Sequence, residues 1–190
     1  MNKINRIKIR ISGGFVLTAS LFWFFDTDGY LIYTLVAALV HEAGHIAAVY
    51  LYGGSIKRLR AFLCGLCIEY DNVLTPAGEA VITLAGPIMN FIFAFIAYTC
   101  LGSNSISAIS LAQGVFNMLP IREMDGGRIL SLTVKNERVC IWTDRVFIII
   151  ICLIAAHSWY TGMAPNLAVL AVWLIFDRVL AKARLKSYNN

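Results

Sequence analysis

"ALVHEAGHIAAVY", residues 38–50, sets His41, Glu42 and His45 inside a stretch that otherwise reads as buried apolar helix. The chain has three histidines in 190 residues, and two of them stand here beside a carboxylate. Four apart, His41 and His45 fall on one helix face about a turn from each other. Two imidazoles so placed can hold one zinc ion, with Glu42 reaching a water as general base. Ala43, Gly44, Ala47 and Ala48 are small enough to let another helix approach closely in lipid. A carboxylate deep in a span costs about 2–3 kcal/mol if unpaired, so an accidental Glu42 there is disfavoured and a functional one is the first hypothesis.

The surroundings of this stretch decide the class. The chain is 59% hydrophobic and 14% charged, whereas soluble domains are about a quarter charged. Apolar runs of bilayer-spanning length recur near 11–25, 30–53, 77–101, 105–121, 140–157 and 164–181. They predict an all-α polytopic membrane protein of about six transmembrane helices, one domain over residues 1–190. The net charge of +5 does not imply nucleic acid, because the basic residues segregate. Lys3, Arg6, Lys8 and Arg10 precede the first span, and Lys57, Arg58 and Arg60 follow the second. Arg122, Arg128, Lys135, Arg138 and Arg145 lie around the connection between spans four and five, and Arg178, Lys182, Arg184 and Lys186 close the chain. Together they are all 16 Lys and Arg, while "DTDG", "GSNS" and "HSWYTGMAPN" hold none. By the positive-inside rule both termini face the cytoplasm. The basic N-terminus and apolar run resemble a signal peptide, but bulky Trp23, Phe24 and Phe25 and the lack of a small-residue cleavage site predict an uncleaved first span.

Residues 54–76, "GSIKRLRAFLCGLCIEYDNVLTP", suit a membrane-associated β-hairpin or a re-entrant loop after the second span. Residues 126–138 look like a short amphipathic cytoplasmic helix. The five cysteines form no extracellular framework, so no disulfide scaffold is implied.

Zinc needs a third protein ligand and an open position. His157 lies at the far end of span five and is a poor candidate. Cys64 and Cys67 of "CGLC" with the two histidines would close a Cys2His2 structural site, leaving Glu42 no water to act on; two ordinary apolar-loop cysteines are the simpler reading. Asp125 in "NMLPIREMDGG", residues 117–127, is the stronger candidate. Pro120 breaks the helical bonding before it, and Gly126-Gly127 lets the chain turn after it. An ordinary helix-end acid is the competing reading of Asp125.

"HEAGH", then "GPIMN" (Gly86, Pro87, Asn90), then "NMLPIREMDGG" in successive spans resemble the site-2 protease family of intramembrane zinc metalloproteases, and within it the stage IV sporulation protein FB group. The match covers roughly residues 30–130. The resemblance implies one zinc per chain held by His41, His45 and Asp125, with Glu42 activating water. It implies that Asn117 positions substrate or stabilises the oxyanion, and that Gly86, Pro87, Asn90, Pro120 and Gly126 serve helix packing and kinks. It implies a membrane-tethered protein substrate, cut to release a cytosolic fragment as in sporulation sigma-factor processing. The cytoplasmic side is expected for the active site, since His45 lies 7 residues, or about 10 Å, from Tyr52 at the end of its span. The family often has Pro-Leu before Asp-Gly-Gly, and "IREM" instead brings Arg122 and Glu123 to the mouth. No PDZ insertion or CBS domain is expected. The rivals are a six-span metal transporter, which predicts a polar path that spans one and six lack, and an inactive membrane scaffold, which the full set of chemical residues disfavours.

Overall fold

The computed structural model describes residues 8–11, 20, 23, 24, 26, 29–62, 65–71, 75–162, 171, 172, 174 and 175. Among these, three helices are long and apolar enough to cross a bilayer: α1 (Tyr30–Leu51), α2 (Pro76–Thr99) and α5 (Glu137–Thr161). Their 22, 24 and 25 residues give lengths of about 33–38 Å, enough for a hydrocarbon core of about 30 Å. Their outer faces carry Leu39, Phe95 and Leu153 at 64, 68 and 66% exposure. Apolar stripes of that extent are stable facing lipid, not water. The expected first and sixth spans fall almost wholly outside the described residues.

Each of the three long helices starts where the sequence supplies a side-chain acceptor. The Asp26 carboxylate accepts from the amides of Tyr30 and Leu31 at 2.8 and 2.9 Å, satisfying the open start of α1. Thr75 accepts from Gly78 N at 3.1 Å, with Pro76 in the first turn of α2. Asn136 does the same for Arg138 N at the head of α5.

Two expectations about the middle of the chain need correction. The sequence places a fourth span over 105–121, but α3 (Asn104–Asn117) has 14 residues, about 21 Å. It stops early because Pro120 restricts the residue before it and offers no amide. The amphipathic helix expected over 126–138 is α4 (Asp125–Thr133). Residues 134–136 are non-helical, and the following helix starts at Glu137, three residues before the predicted 140.

The segment after α1 forms two antiparallel strands, β2 (Ser55–Phe62) and β3 (Gly65–Asp71). A strand absent from the sequence expectation, β1 (Lys8–Ile11), pairs parallel with β2, giving the order β1-β2-β3. The class is therefore helical with a small sheet. Its signal was the two-residue alternation Lys8-Ile9-Arg10-Ile11, which reads equally as a basic tail ahead of a span. Ile56, Leu59, Ile68 and Tyr70 pack against Ala48, Val49 and Ile82, seating the sheet on the ends of α1 and α2. Ser55 and Lys57 both bond the Asp71 carboxylate, the lysine at 2.7 Å, and tie the start of β2 to the end of β3.

Candidate metal centre

Helices α1 and α2 meet through small residues. A methyl on Gly44 would lie 2.5 Å from the Ala85 carbonyl oxygen, so the backbones touch there with no room for a side chain. Next to Ala85 on α2, a methyl on Gly86 would enter the His45 imidazole and come within 2.8 Å of His41 Cε1. Gly86 is thus more than a packing residue: its missing side chain is the space the two imidazoles occupy. Pro87 follows it inside α2 and offers no amide to the Thr83 carbonyl. Asn90 is fully buried; its carbonyl accepts from Ser110 Oγ at 2.9 Å, fastening α3 to α2.

The carboxylate lies beyond the fourth span. Asp125 is the first residue of α4, not the end of the fourth span. The chain reverses between Asn117 and Asp125 through bonds of 2.8 Å from Ile121 N to Leu119 O and from Met124 N to Ile121 O. Ile121 and Met124 are buried against Ile151 and Leu174, which anchors the turn. Neither Gly126 nor Gly127 has a positive φ. They are required by proximity: a side chain on either would strike the backbone of residues 118–122.

His41 Nε2 lies 3.1 Å and His45 Nε2 3.4 Å from Asp125 Oδ2, and the two imidazole nitrogens are 3.1 Å apart. Two ligand atoms bound to one tetrahedral ion at about 2.0–2.1 Å sit about 3.3–3.4 Å from each other. The three atoms therefore outline one face of such a tetrahedron. His45 Nδ1 lies 2.8 Å from the Ile82 carbonyl. A carbonyl can only accept, so Nδ1 carries the proton and Nε2 presents its lone pair to the cluster. His41 is buried, and its Nδ1 has no hydrogen-bond partner among the described residues. Without a cation, this group brings several acceptors together with too few protons between them, at a desolvation cost. The donor set fits zinc.

Glu42, His45, Ile68, Tyr70, Ile82, Thr83, Glu123 and Arg128 line a cleft of about 200 Å³ beside this cluster. Glu42 and His45 come from α1, Ile82 and Thr83 from α2, Ile68 and Tyr70 from β3, Arg128 from α4 and Glu123 from the turn before it. Arg128, three residues after Asp125 on α4, donates to the Tyr70 hydroxyl at 2.7 Å. Burial raises the Tyr70 pKa above its ordinary value; Arg128 opposes that rise and Glu79 adds to it. Sequence reasoning missed this pair, whose members lie 58 residues apart on different elements.

Other candidates lie elsewhere. His157 is exposed near the end of α5, outside the cluster. Asn117 is the last residue of α3, half-buried, and does not line the cleft. Arg122 is exposed, its amide held by Asp144 Oδ1 at 2.9 Å, whereas Glu123 does reach the cleft. Cys64 lies outside the described residues; Cys67 is on β3, in register with Arg60.

Comparison with known proteins gives a consistent picture. No family model matches the chain. It is 29% identical over 138 residues to zinc metalloprotease MJ0392 of Methanocaldococcus jannaschii, an alignment covering 67% of this chain and 39% of that protein. It thus spans about two fifths of that relative's length. Its fold matches a solved site-2 protease from Methanocaldococcus jannaschii with a TM-score of 0.67 and 22% identity, over 93% of this chain and 91% of that one.

Proposed function

We propose that the chain belongs to the site-2 protease family and is an intramembrane zinc metalloprotease, hydrolysing a peptide bond near a transmembrane segment of a membrane-tethered protein; its likeness in sequence to a zinc metalloprotease and in fold to a solved site-2 protease supports this reading. The observation that carries this reading is the triangle of His41 Nε2, His45 Nε2 and Asp125 Oδ2, with edges of 3.1–3.4 Å, beside a cleft that holds Glu42.

In this reading His41, His45 and Asp125 hold one zinc. When bound, the ion acidifies water and polarises a carbonyl. Ile82 orients His45 through its carbonyl, and Gly86 keeps both rings seated on α2. Glu42, one residue round the helix from His41, takes the proton of the attacking water and passes it to the departing nitrogen. A transmembrane helix satisfies its own backbone bonds, so a substrate must unwind before it can be cut. An extended substrate segment lies along the strand pair β2–β3, which rests against the membrane on the cytoplasmic side. Both termini face the cytoplasm, six spans cross the bilayer, and cleavage near the cytoplasmic end releases a cytosolic fragment. Processing of a sporulation sigma factor is one such reaction. The transporter reading is disfavoured by the cluster's position against a cleft that contains a candidate base.

The test compares wild type and Glu42→Gln in detergent, each assayed for zinc per chain and for cleavage of membrane-tethered reporter proteins. Equal zinc with cleavage by the wild type alone is expected. Cleavage by Glu42→Gln at the wild-type rate, or absence of zinc from both, overturns the reading.

A further inference from the structure

Hydrolysis of an amide needs a base for the water and a donor for the oxyanion, held where the charge develops. Glu42 on the α1 side of the cleft can serve as the base. The donors facing the same space are few. The Thr83 hydroxyl is committed to the Glu79 carbonyl at 2.8 Å, and Ile68 and Ile82 offer no side-chain donor. Tyr70 and Arg128 remain on the β3 and α4 side. Arg128 donates to the Tyr70 oxygen at 2.7 Å, and its guanidinium carbon lies 5.7 Å from the ring centroid. Because that oxygen accepts, the phenol's own hydrogen is directed elsewhere, and among the described residues nothing accepts it. A cationic donor on a phenol oxygen also strengthens that phenol as a donor.

We propose that the Tyr70 hydroxyl, held and polarised by Arg128, donates the hydrogen bond that stabilises the oxyanion formed when a peptide carbonyl in the cleft is attacked. This rests on the protease reading above. As the water oxygen bonds to the carbonyl carbon, Glu42 takes the water's proton and the carbonyl π pair moves onto oxygen. Tyr70 donates to that oxygen without giving up its proton. Collapse re-forms the carbonyl and breaks the C–N bond, and the proton on Glu42 leaves with the amine. Burial keeps the phenol protonated well beyond neutral pH, so the donor is present throughout the working range. Since α4 carries both Asp125 and Arg128, one short helix sets a metal ligand and the residue that holds the oxyanion donor in a common frame.

The experiment uses the full chain, zinc-loaded in detergent, with β-casein as an unfolded probe that needs no helix unwinding. Wild type, Tyr70→Phe and Arg128→Gln are compared for kcat, KM, zinc per chain and thermal unfolding. Tyr70→Phe keeps the ring and its packing and loses only the donor. Its kcat should fall about 10²–10³-fold, with KM, zinc content and unfolding temperature near wild type. Arg128→Gln should lose less, because a neutral amide still holds the phenol. A kcat for Tyr70→Phe within threefold of wild type overturns the proposal, as does a rise in KM with kcat unchanged or a loss of zinc. A wild type that binds zinc but cuts neither β-casein nor any tethered reporter overturns the protease reading itself.

Discussion

Replacing Gly86 by alanine should weaken zinc binding without unfolding the protein. The added methyl would lie 2.8 Å from His41 Cε1 and closer still to the His45 ring, where real contacts are never so short. The rings have little freedom to yield. His45 is held on one side by the Ile82 carbonyl at 2.8 Å and on the other by the cluster at 3.1–3.4 Å, so moving it breaks one or the other. Overpacking a tight site by one methyl costs about 1–3 kcal/mol. If the site bears that strain, zinc affinity falls about 5- to 150-fold, at 1.4 kcal/mol for each factor of ten. Competition against a chelator of known affinity, in detergent, reads the change directly. Gly44→Ala is the control: its methyl meets the Ala85 carbonyl and Met89, forcing the helices apart, so it should lower the unfolding temperature. A Gly86→Ala protein whose zinc affinity stays within twofold of wild type would refute the idea that this glycine makes room for the imidazoles.

Asp125→Asn preserves shape but removes the charge, and should weaken zinc at least tenfold while leaving the helices intact, read by zinc titration and circular dichroism. Gly127→Ala should lower stability by 1–3 kcal/mol or more, because its methyl would strike the Ile121 backbone; thermal unfolding checks it. Thr75→Ala should cost about 1 kcal/mol through the lost cap on α2, seen as a lower unfolding temperature with zinc retained. Bonds from Lys57 and then Ser55 hold the Asp71 carboxyl below its ordinary value of 3.8. A lowered folded-state pKa gives stability that is present above the unfolded value and lost as pH falls through the folded one. Loosening of the β2–β3 pair should therefore begin only below about pH 4, and Asp71→Asn should leave the unfolding temperature's pH profile between 5 and 8 unchanged.

Parts of this architecture could be read from the residues. His41, Glu42 and His45 are local to one helix, so helical spacing alone puts them together. The punctuation by Pro120 and the Gly126-Gly127 pair marked a break near Asp125. What could not be read was how that break is built. Asp125 starts a new helix because the chain reverses over eight residues, held by the burial of Ile121 and Met124 against distant helices. The two glycines are needed because backbone passes against them, not because they adopt unusual angles, and tertiary contact of that kind leaves no local trace. Gly86 read as a generic packing residue since its partners lie 41 and 45 positions earlier. β1 was hidden because its partner β2 lies some 50 residues on. The link between Tyr70 and Arg128 spans 58 residues, beyond any local periodicity.

In the proposed centre two imidazoles and one carboxylate, with no thiolate, hold the zinc. X-ray absorption at the zinc edge of the purified, zinc-loaded chain tests it most directly. The expected spectrum has nitrogen and oxygen neighbours alone at about 2.0–2.2 Å, with the imidazole signature lost stepwise in His41→Ala and His45→Ala. A sulfur shell at about 2.3 Å would contradict it, placing Cys64 or Cys67 on the metal and leaving Glu42 without its role.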